Sequence, residues 1–294
     1  MPVKFLPDKN TIKLMRIPFS YFLMPVFLFA LSQVKSIDIK SAIISFIALH
    51  LFIYPASNGY NSYMDKDETS IGGLKNPPKP TKNLFYLTAL FDITGLALSL
   101  MVSIQFFFCV LAYMLASRAY SYKGIRLKKM PVLGFLTVIF FQGGFTFWMI
   151  YTAISSNPVE YTSGLVSAML ACSFLIAGVY PLTQVYQHEA DLASGDITIS
   201  YKLGYTGTFV FAGTMFTIAS VLLFYYFYSM QQTMHFALFQ LFLFPVIVYF
   251  IWWFLKVMKD TTYASFQNTM NMNFIASTCM NFCFITILLL NLKK

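Results

Sequence analysis

The sequence predicts an all-α polytopic membrane protein: nine transmembrane helices in a single bundle, one domain spanning residues 1–294. Three observations carry this. The chain is 58% hydrophobic and only 11% charged, with a mean hydropathy of +0.66. A water-facing surface needs about 25% charged residues. A soluble globule, a disordered chain and a nucleic-acid module are thereby excluded, and the lipid bilayer becomes the expected partner. Secondly, 294 residues leave room for about nine spans of roughly 20 residues with short loops. Thirdly, the basic residues segregate with the alternation that nine spans impose.

Taken in order, apolar runs bounded by polar or Pro/Gly clusters fall near 14–33, 41–57, 84–102, 103–118, 131–153, 162–183, 207–229, 234–256 and 270–291. Each is long enough, or nearly so, to cross about 30 Å of hydrocarbon as a helix. The run Leu14 to Gln33 exceeds a signal-peptide core, so it reads as a retained first helix. With the N-terminus cytoplasmic, 16 of the 20 Lys and Arg fall on inner segments, and only Lys35, Lys40, Lys293 and Lys294 fall outside. Basic residues are retained on the cytoplasmic side, and one miscounted span would scramble the split from that point on. The expectation is an integral protein of the inner (plasma) membrane with its C-terminus on the opposite side. Cys109, Cys172, Cys279 and Cys283 lie in apolar runs without metal-ligand spacing and read as small buried hydrophobes.

Six of the eleven carboxylates collect in two inner segments. Asp65, Asp67 and Glu68 follow the second span, and Glu189, Asp191 and Asp196 follow the sixth. Acids at one membrane face can converge on a hard divalent cation, which prefers carboxylate and amide oxygens. Asn61 and Asp65 are four apart, as are Gln187 and Asp191; on a helical extension each pair would project from one face. Between them in sequence, residues 118–129 carry Arg118, Lys123, Arg126, Lys128 and Lys129 with no negative charge. Carboxylates, Mg²⁺ and basic side chains together suit a phosphate or diphosphate. Taken singly, each acidic group reads as solvated and the basic run as an orientation anchor; their coincidence on one face favours a site. Asp92, inside the third span, faces other helices either as a functional group or as a hydrogen-bonding partner.

These residues resemble the UbiA superfamily of intramembrane prenyltransferases, which have nine transmembrane helices and Asp-rich motifs after helices two and six. Asn61 and Asp65 match the first two positions of N-x-x-x-D-x-x-x-D; the third falls on Thr69, with Asp67 and Glu68 nearby. Asn76-Pro77-Pro78-Lys79-Pro80 is similar to the N-x-P-x-R-P that follows. The second motif, D-x-x-x-D with a later Gly, Thr and L-G, is met by Gln187, Asp191, Gly195, Thr198 and Leu203-Gly204, with Gln187 in place of the first Asp. The run from Tyr120 to Lys128 resembles the segment after helix four that supplies positive charge.

The resemblance implies a central cavity open to the cytoplasmic face and Mg²⁺-dependent transfer of a prenyl group from a prenyl diphosphate. The acceptor is lipophilic or aromatic, with a quinone-precursor ring leading by family alone. It implies Asp65 and Asp191 as catalytic residues. Asn61, Asp65, Asp67, Glu68, Gln187, Glu189 and Asp191 would hold metal; Lys79, Tyr120, Lys123, Arg126 and Lys128 would hold diphosphate. Two acids fewer, at 69 and 187, leave a catalytically silent relative or a membrane carrier of a lipid-like ligand as the alternative. An ion-coupled transporter fits less well, because its charges belong near the midplane. The compact Asp signature of CDP-alcohol phosphotransferases is absent.

Overall fold

The computed structural model describes residues 8–293, with Ser194 described by its backbone alone. Lys4 and Lys294, counted in the charge asymmetry, lie outside the described residues. Among the described residues, nine helices are long and apolar enough to cross a membrane. They are α1 (Lys9–Gln33), α2 (Ile39–Asp65), α3 (Lys82–Leu100), α4 (Ile104–Ser121), α5 (Pro131–Ile154), α6 (Ser163–Ala193), α7 (Ile199–Ser229), α8 (Thr233–Lys259) and α9 (Phe266–Asn291). The number and order are those expected from the sequence. The boundaries differ where it matters: α2 runs on to Asp65, and α6 continues past Leu182 through an irregular turn and the short helix His188–Ser194. Segments the hydropathy reads as loops are therefore helix ends that stand on the bundle.

Local chemistry explains the starts. Asp8, Asp38, Ser103, Thr162, Thr198 and Ser265 each precede a helix and accept a hydrogen bond from a first-turn N–H, satisfying donors the helix itself cannot. Within the bundle, Phe29 on α1 stacks on Phe284 of α9 at 4.8 Å and meets Phe147 of α5 at 4.9 Å and Tyr226 of α7 at 5.8 Å. Four helices thus share one aromatic contact. On the outside, Val221, Leu241 and Phe244 are exposed, as a lipid-facing surface requires. Asp92 pairs with Arg118 of α4, and that guanidinium lies 4.0 Å from the centroid of the Tyr60 ring and donates to the Ala56 carbonyl. The intramembrane carboxylate is thus tied into a junction of α2, α3 and α4.

Two π-helical segments interrupt the regular helices, Ile47–Ile53 in α2 and Phe140–Phe145 in α5. In the second, Gly143 adopts φ −100°, ψ −107°, and a Cβ there would come within 2.5 Å of the Ser173 Cα on α6. Small residues allow such backbone approach between membrane helices. Since the obstacle is backbone, Gly143→Ala should destabilise the fold by about 2 kcal/mol. Gly207→Ala, whose Cβ would meet only the Leu203 side chain at 3.4 Å, serves as the control. Thermal unfolding in detergent should show a lowered midpoint for the first and little change for the second.

Candidate active site

The two acidic helix ends and the basic loop meet at one mouth of the bundle. The mouth opens into a cavity of about 700 Å³ lined by residues of eight helices, all but α3, among them Asn61, Asp65, Tyr120, Gln187 and Asp191, and by Asp67, Lys128 and Asp196 of the intervening segments. At the end of α2, Lys66 adopts a left-handed conformation (φ 54°) and stops the helix one residue after Asp65. Asn61 Nδ2 donates to Asp65 Oδ2 at 2.8 Å and to Ser121 Oγ of α4 at 3.0 Å. The expected i,i+4 pair is formed, and its members reach the cavity together.

The other acidic strip depends on a glycine. The helix His188–Ser194 closes at Gly195 (φ 71°), and the Asp196 N–H then returns to the Asp191 carbonyl at 2.8 Å. Only that reversal turns the Asp196 side chain inward, where it is 3% exposed. His188 braces the helix from behind: its Nε2 is 2.8 Å from Ser200 Oγ, and its ring stacks on Tyr205 of α7 at 4.7 Å. Gln187 donates through Nε2 to the Ser70 carbonyl at 3.1 Å, so its amide joins the segment after α2 to the segment after α6.

The basic loop closes the arrangement. Arg126 adopts a left-handed conformation (φ 48°), and a short 3-10 turn over Leu127–Lys129 follows. Lys128 Nζ lies 2.8 Å from Asp65 Oδ1 and 2.7 Å from Asp196 Oδ2. Arg126 Nη2 is 3.1 Å from Asp196 Oδ2 and 3.8 Å from Asp65 Oδ1. Burial works against the Lys128 charge, but Asp65 and Asp196 outweigh it and hold the ammonium above its ordinary value. Asp196 is likewise opposed by burial, yet the bonds from Arg126 and Lys128 hold it below the usual carboxylate range. Asp67 goes the other way: burial, reinforced by Asp65, raises it. One acid of the mouth is committed to the loop, while another still lacks full compensation for its charge.

Arg16 completes the rim. It breaks α1 with a left-handed residue (φ 48°), is 8% exposed and lines the cavity. Its Nη1 donates to the Gly72 carbonyl at 3.1 Å and its Nη2 to the Asn58 carbonyl at 3.0 Å. Charge segregation alone marks Arg16 as an orientation residue; the left-handed break that turns it inward leaves no pattern in the sequence. Asp196 was visible as one of the clustered acids, but its inward turn follows only from Gly195.

Four expected residues are placed elsewhere. Glu68 and Lys79 pair with each other at 3.9 Å with side chains 81% and 89% exposed. Lys123 is exposed, and Glu189 is exposed beside a separate shallow hollow lined by Thr69 and Ser70. Among the described residues, no three His, Cys, Asp or Glu side chains are gathered into a metal cage. The mouth offers hard oxygen donors, Asp65, Asp67 and Asp191 with the Asn61 and Gln187 amides. That set suits Mg²⁺ with the remaining coordination drawn from phosphate oxygens and water. Below the mouth the cavity turns apolar, past Phe22, Phe29, Phe141, Met280 and Phe284. Along α9, the lining from Met272 to Phe284 spans roughly 18 Å at 1.5 Å per residue.

Removing Asp196 would leave two buried cations sharing Asp65 alone. Asp196→Asn is therefore expected to cost on the order of 3 kcal/mol, read as a lowered denaturation midpoint. Glu68→Gln, which breaks only an exposed pair, should leave the midpoint nearly unchanged.

The whole-chain comparisons agree with this fold. The family model described as the UbiA prenyltransferase family matches residues 22–275. A UbiA homolog from Archaeoglobus fulgidus bound to DMAPP and Mg²⁺ superposes with a TM-score of 0.72 at 17% identity, covering 95% of this chain and 99% of its own. The same homolog bound to GPP and Mg²⁺ gives 0.70 at 16%, with 95% and 99% covered. An apo UbiA homolog from Aeropyrum pernix K1 gives 0.69 at 16%, with 92% and 98% covered. No curated protein matches the chain by sequence. At these identities the structures establish the shared nine-helix fold, and the family model establishes more: the chain belongs to the UbiA prenyltransferase family.

Proposed function

We propose that the protein catalyses Mg²⁺-dependent transfer of a prenyl group from a prenyl diphosphate to a lipophilic acceptor, with an aromatic quinone-precursor ring as the leading class. The observation that carries this is the vertical order of the cavity: carboxylates, amides and cations at the mouth, and an apolar aromatic chamber deeper in the bundle. A prenyl diphosphate has the same order of parts. The homologs crystallised with DMAPP or GPP and Mg²⁺ support the same assignment.

In this reading Asn61, Asp65, Asp67, Gln187 and Asp191 hold the metal, and Tyr120, Arg126 and Lys128 face the diphosphate. Bound Mg²⁺ supplies Lewis-acid stabilisation of the charge that builds on the diphosphate oxygens. Lys128 and Arg126 neutralise the same oxygens from the other side. Their present partners, Asp65 and Asp196, keep both cations charged and aimed at the mouth before the ligand arrives, so little reorganisation is needed. The C1–O bond breaks with its electron pair leaving on the diphosphate, giving an allylic cation. The acceptor's nucleophilic atom then bonds to C1 and releases a proton. Phe22, Phe141 and the deeper aromatic residues keep water from the cation and present ring faces to it. Chain advance of about 1.2 Å per bond, the value implied by an extended polypeptide, gives roughly 5 Å per prenyl unit. The whole lining along α9, the level of Ser277 included, therefore equals three to four units extended in length. Glu68, Glu189, Lys79 and Lys123 receive no contact in this reading. The excess of Lys and Arg on the loops that share this face supports its orientation toward the cytoplasm, in the inner (plasma) membrane.

The test is diphosphate release from geranyl, farnesyl and geranylgeranyl diphosphate by the purified protein. Release should vanish with EDTA and return with Mg²⁺. Asp65→Asn and Asp191→Asn should each lower it by roughly 100-fold, the scale set by losing one preorganised charge-stabilising group. Turnover that survives both substitutions would remove these residues from the metal site.

A further inference from the structure

Between the charged mouth and the apolar chamber lies a band that neither part of a prenyl diphosphate can satisfy. It lies one turn before the mouth residues, on α2 and in the irregular turn of α6. Asn58 precedes Asn61 by three residues on α2, and Gln184 precedes Gln187 by three on α6. Both line the cavity with Ser117 of α4 and Ser277 of α9. Ser57 and Ser117 satisfy each other by a hydrogen bond across α2 and α4. Gln184 reaches the Tyr180 hydroxyl, but one atom of each amide stays unpaired. Asn58 Nδ2 and Gln184 Oε1 are buried polar atoms without a hydrogen bond, and Gln184 as a whole is 6% exposed. A buried amide atom left unpaired is costly, and native structures retain one where something else completes it.

The chemistry of the gap narrows what completes it. The prenyl chain has no polar atom. An ionised diphosphate offers acceptors only, so it cannot satisfy Gln184 Oε1, which needs a donor. Arg16, which lines the same cavity, has both terminal nitrogens engaged by the Gly72 and Asn58 carbonyls, and its buried Nε–H is a further donor without a partner. The charged groups that line the cavity, Arg16, Asp65, Asp67, Lys128, Asp191 and Asp196, all belong to the mouth. A hydroxyl group, which donates one hydrogen bond and accepts others, satisfies a lone amide oxygen and a lone amide N–H together.

We propose that Gln184 and Asn58 form the acceptor subsite and take a neutral acceptor by a hydroxyl group, at the level where C1 of the prenyl chain leaves the diphosphate. This rests on the prenyl-transfer reading above and adds to it the polarity of the acceptor and the side chains that orient it. An acceptor so held has its hydroxyl at the band and its nucleophilic carbon directed toward C1. A carboxylate or phosphate at this level would meet the Gln184 oxygen without a proton to offer it.

Binding to the intact protein in detergent tests the proposal without requiring the natural acceptor. The protein is first saturated with Mg²⁺ and geranylgeranyl thiolodiphosphate, whose C–S bond resists ionisation, and then titrated calorimetrically. The three probes are 1-naphthol, 1-methoxynaphthalene, which cannot donate, and 1-naphthoate, which is anionic. Wild type should bind 1-naphthol about tenfold more tightly than either of the others, the factor expected from one hydrogen bond to a buried group. Gln184→Leu should bring 1-naphthol and 1-methoxynaphthalene to about the same affinity, while thiolodiphosphate affinity stays near that of wild type. Asn58→Leu is an independent second variant and should weaken 1-naphthol by a similar factor, which keeps the comparison decisive if one variant does not fold. Equal affinity of wild type for the three probes, or discrimination that survives in both variants, would overturn the proposal. A wild type that fails to bind the thiolodiphosphate with Mg²⁺ would instead overturn the prenyl-transfer reading itself.

Discussion

Lys128 stands between Asp65 and Asp196, and the rest of the mouth depends on that contact. Those three residues come from the end of α2, the segment after α4 and the segment after α6. Ion pairs at a water-exposed surface contribute little. Here the three side chains are between 3% and 14% exposed, and an uncompensated charge at that depth would be expensive. The cost of separating them keeps three loops at one place above the cavity. Arg126 holds a left-handed backbone conformation within the same knot, a strain that persists only where its surroundings over-determine it. Gly195 and Lys66 then set where each acidic strip turns. A network that joins loops in this way also holds its cations charged and aimed, which is what an anionic ligand needs on arrival.

Beneath that knot the bundle uses different physics at each depth. The mouth is electrostatic, the band below it is composed of neutral amides and hydroxyls, and the chamber is aromatic. Helix periodicity makes this possible. Residues three or four apart stay on one face while descending about 5 Å, so α2, α4, α6 and α9 each contribute once to successive levels. No single helix carries the site. The Asp92–Arg118 pair lies outside this cavity and answers a different need, that of joining α2, α3 and α4 where lipid offers no partner for a charge.

How much of this was legible in the sequence follows from the range of each signal. Nine spans were legible because hydropathy is a property of continuous segments. The Asn61–Asp65 pair was legible because i,i+4 spacing on a helix fixes contact locally. Helical continuation to Asp65 and beyond Leu182 was hidden by polar composition, which resembles a loop until neighbouring helices cover it. Lys79 follows the motif closely in sequence, but the Pro-rich stretch around it carries the side chain out to solvent beside Glu68. Lys123 precedes the turn that sends Arg126 and Lys128 inward, so three residues separate an exposed cation from a buried one. The inward turn of Arg16 rests on backbone dihedrals, and the close approach at Gly143 on a second helix. Neither constraint is local to the residues it affects, so composition and spacing cannot register it.

The π-helical stretch Ile47–Ile53 lies in α2 well before Asn58, Asn61 and Asp65. A π turn accommodates one more residue than the regular helix, and one residue corresponds to about 100° of rotation about the axis. Loss of a single residue there would turn the whole distal face of α2 away from the cavity without altering any side chain on it. The azimuth of the first acidic strip is therefore stored as a residue count, remote from the chemistry it directs. In this helix, length is a more stringent constraint than identity.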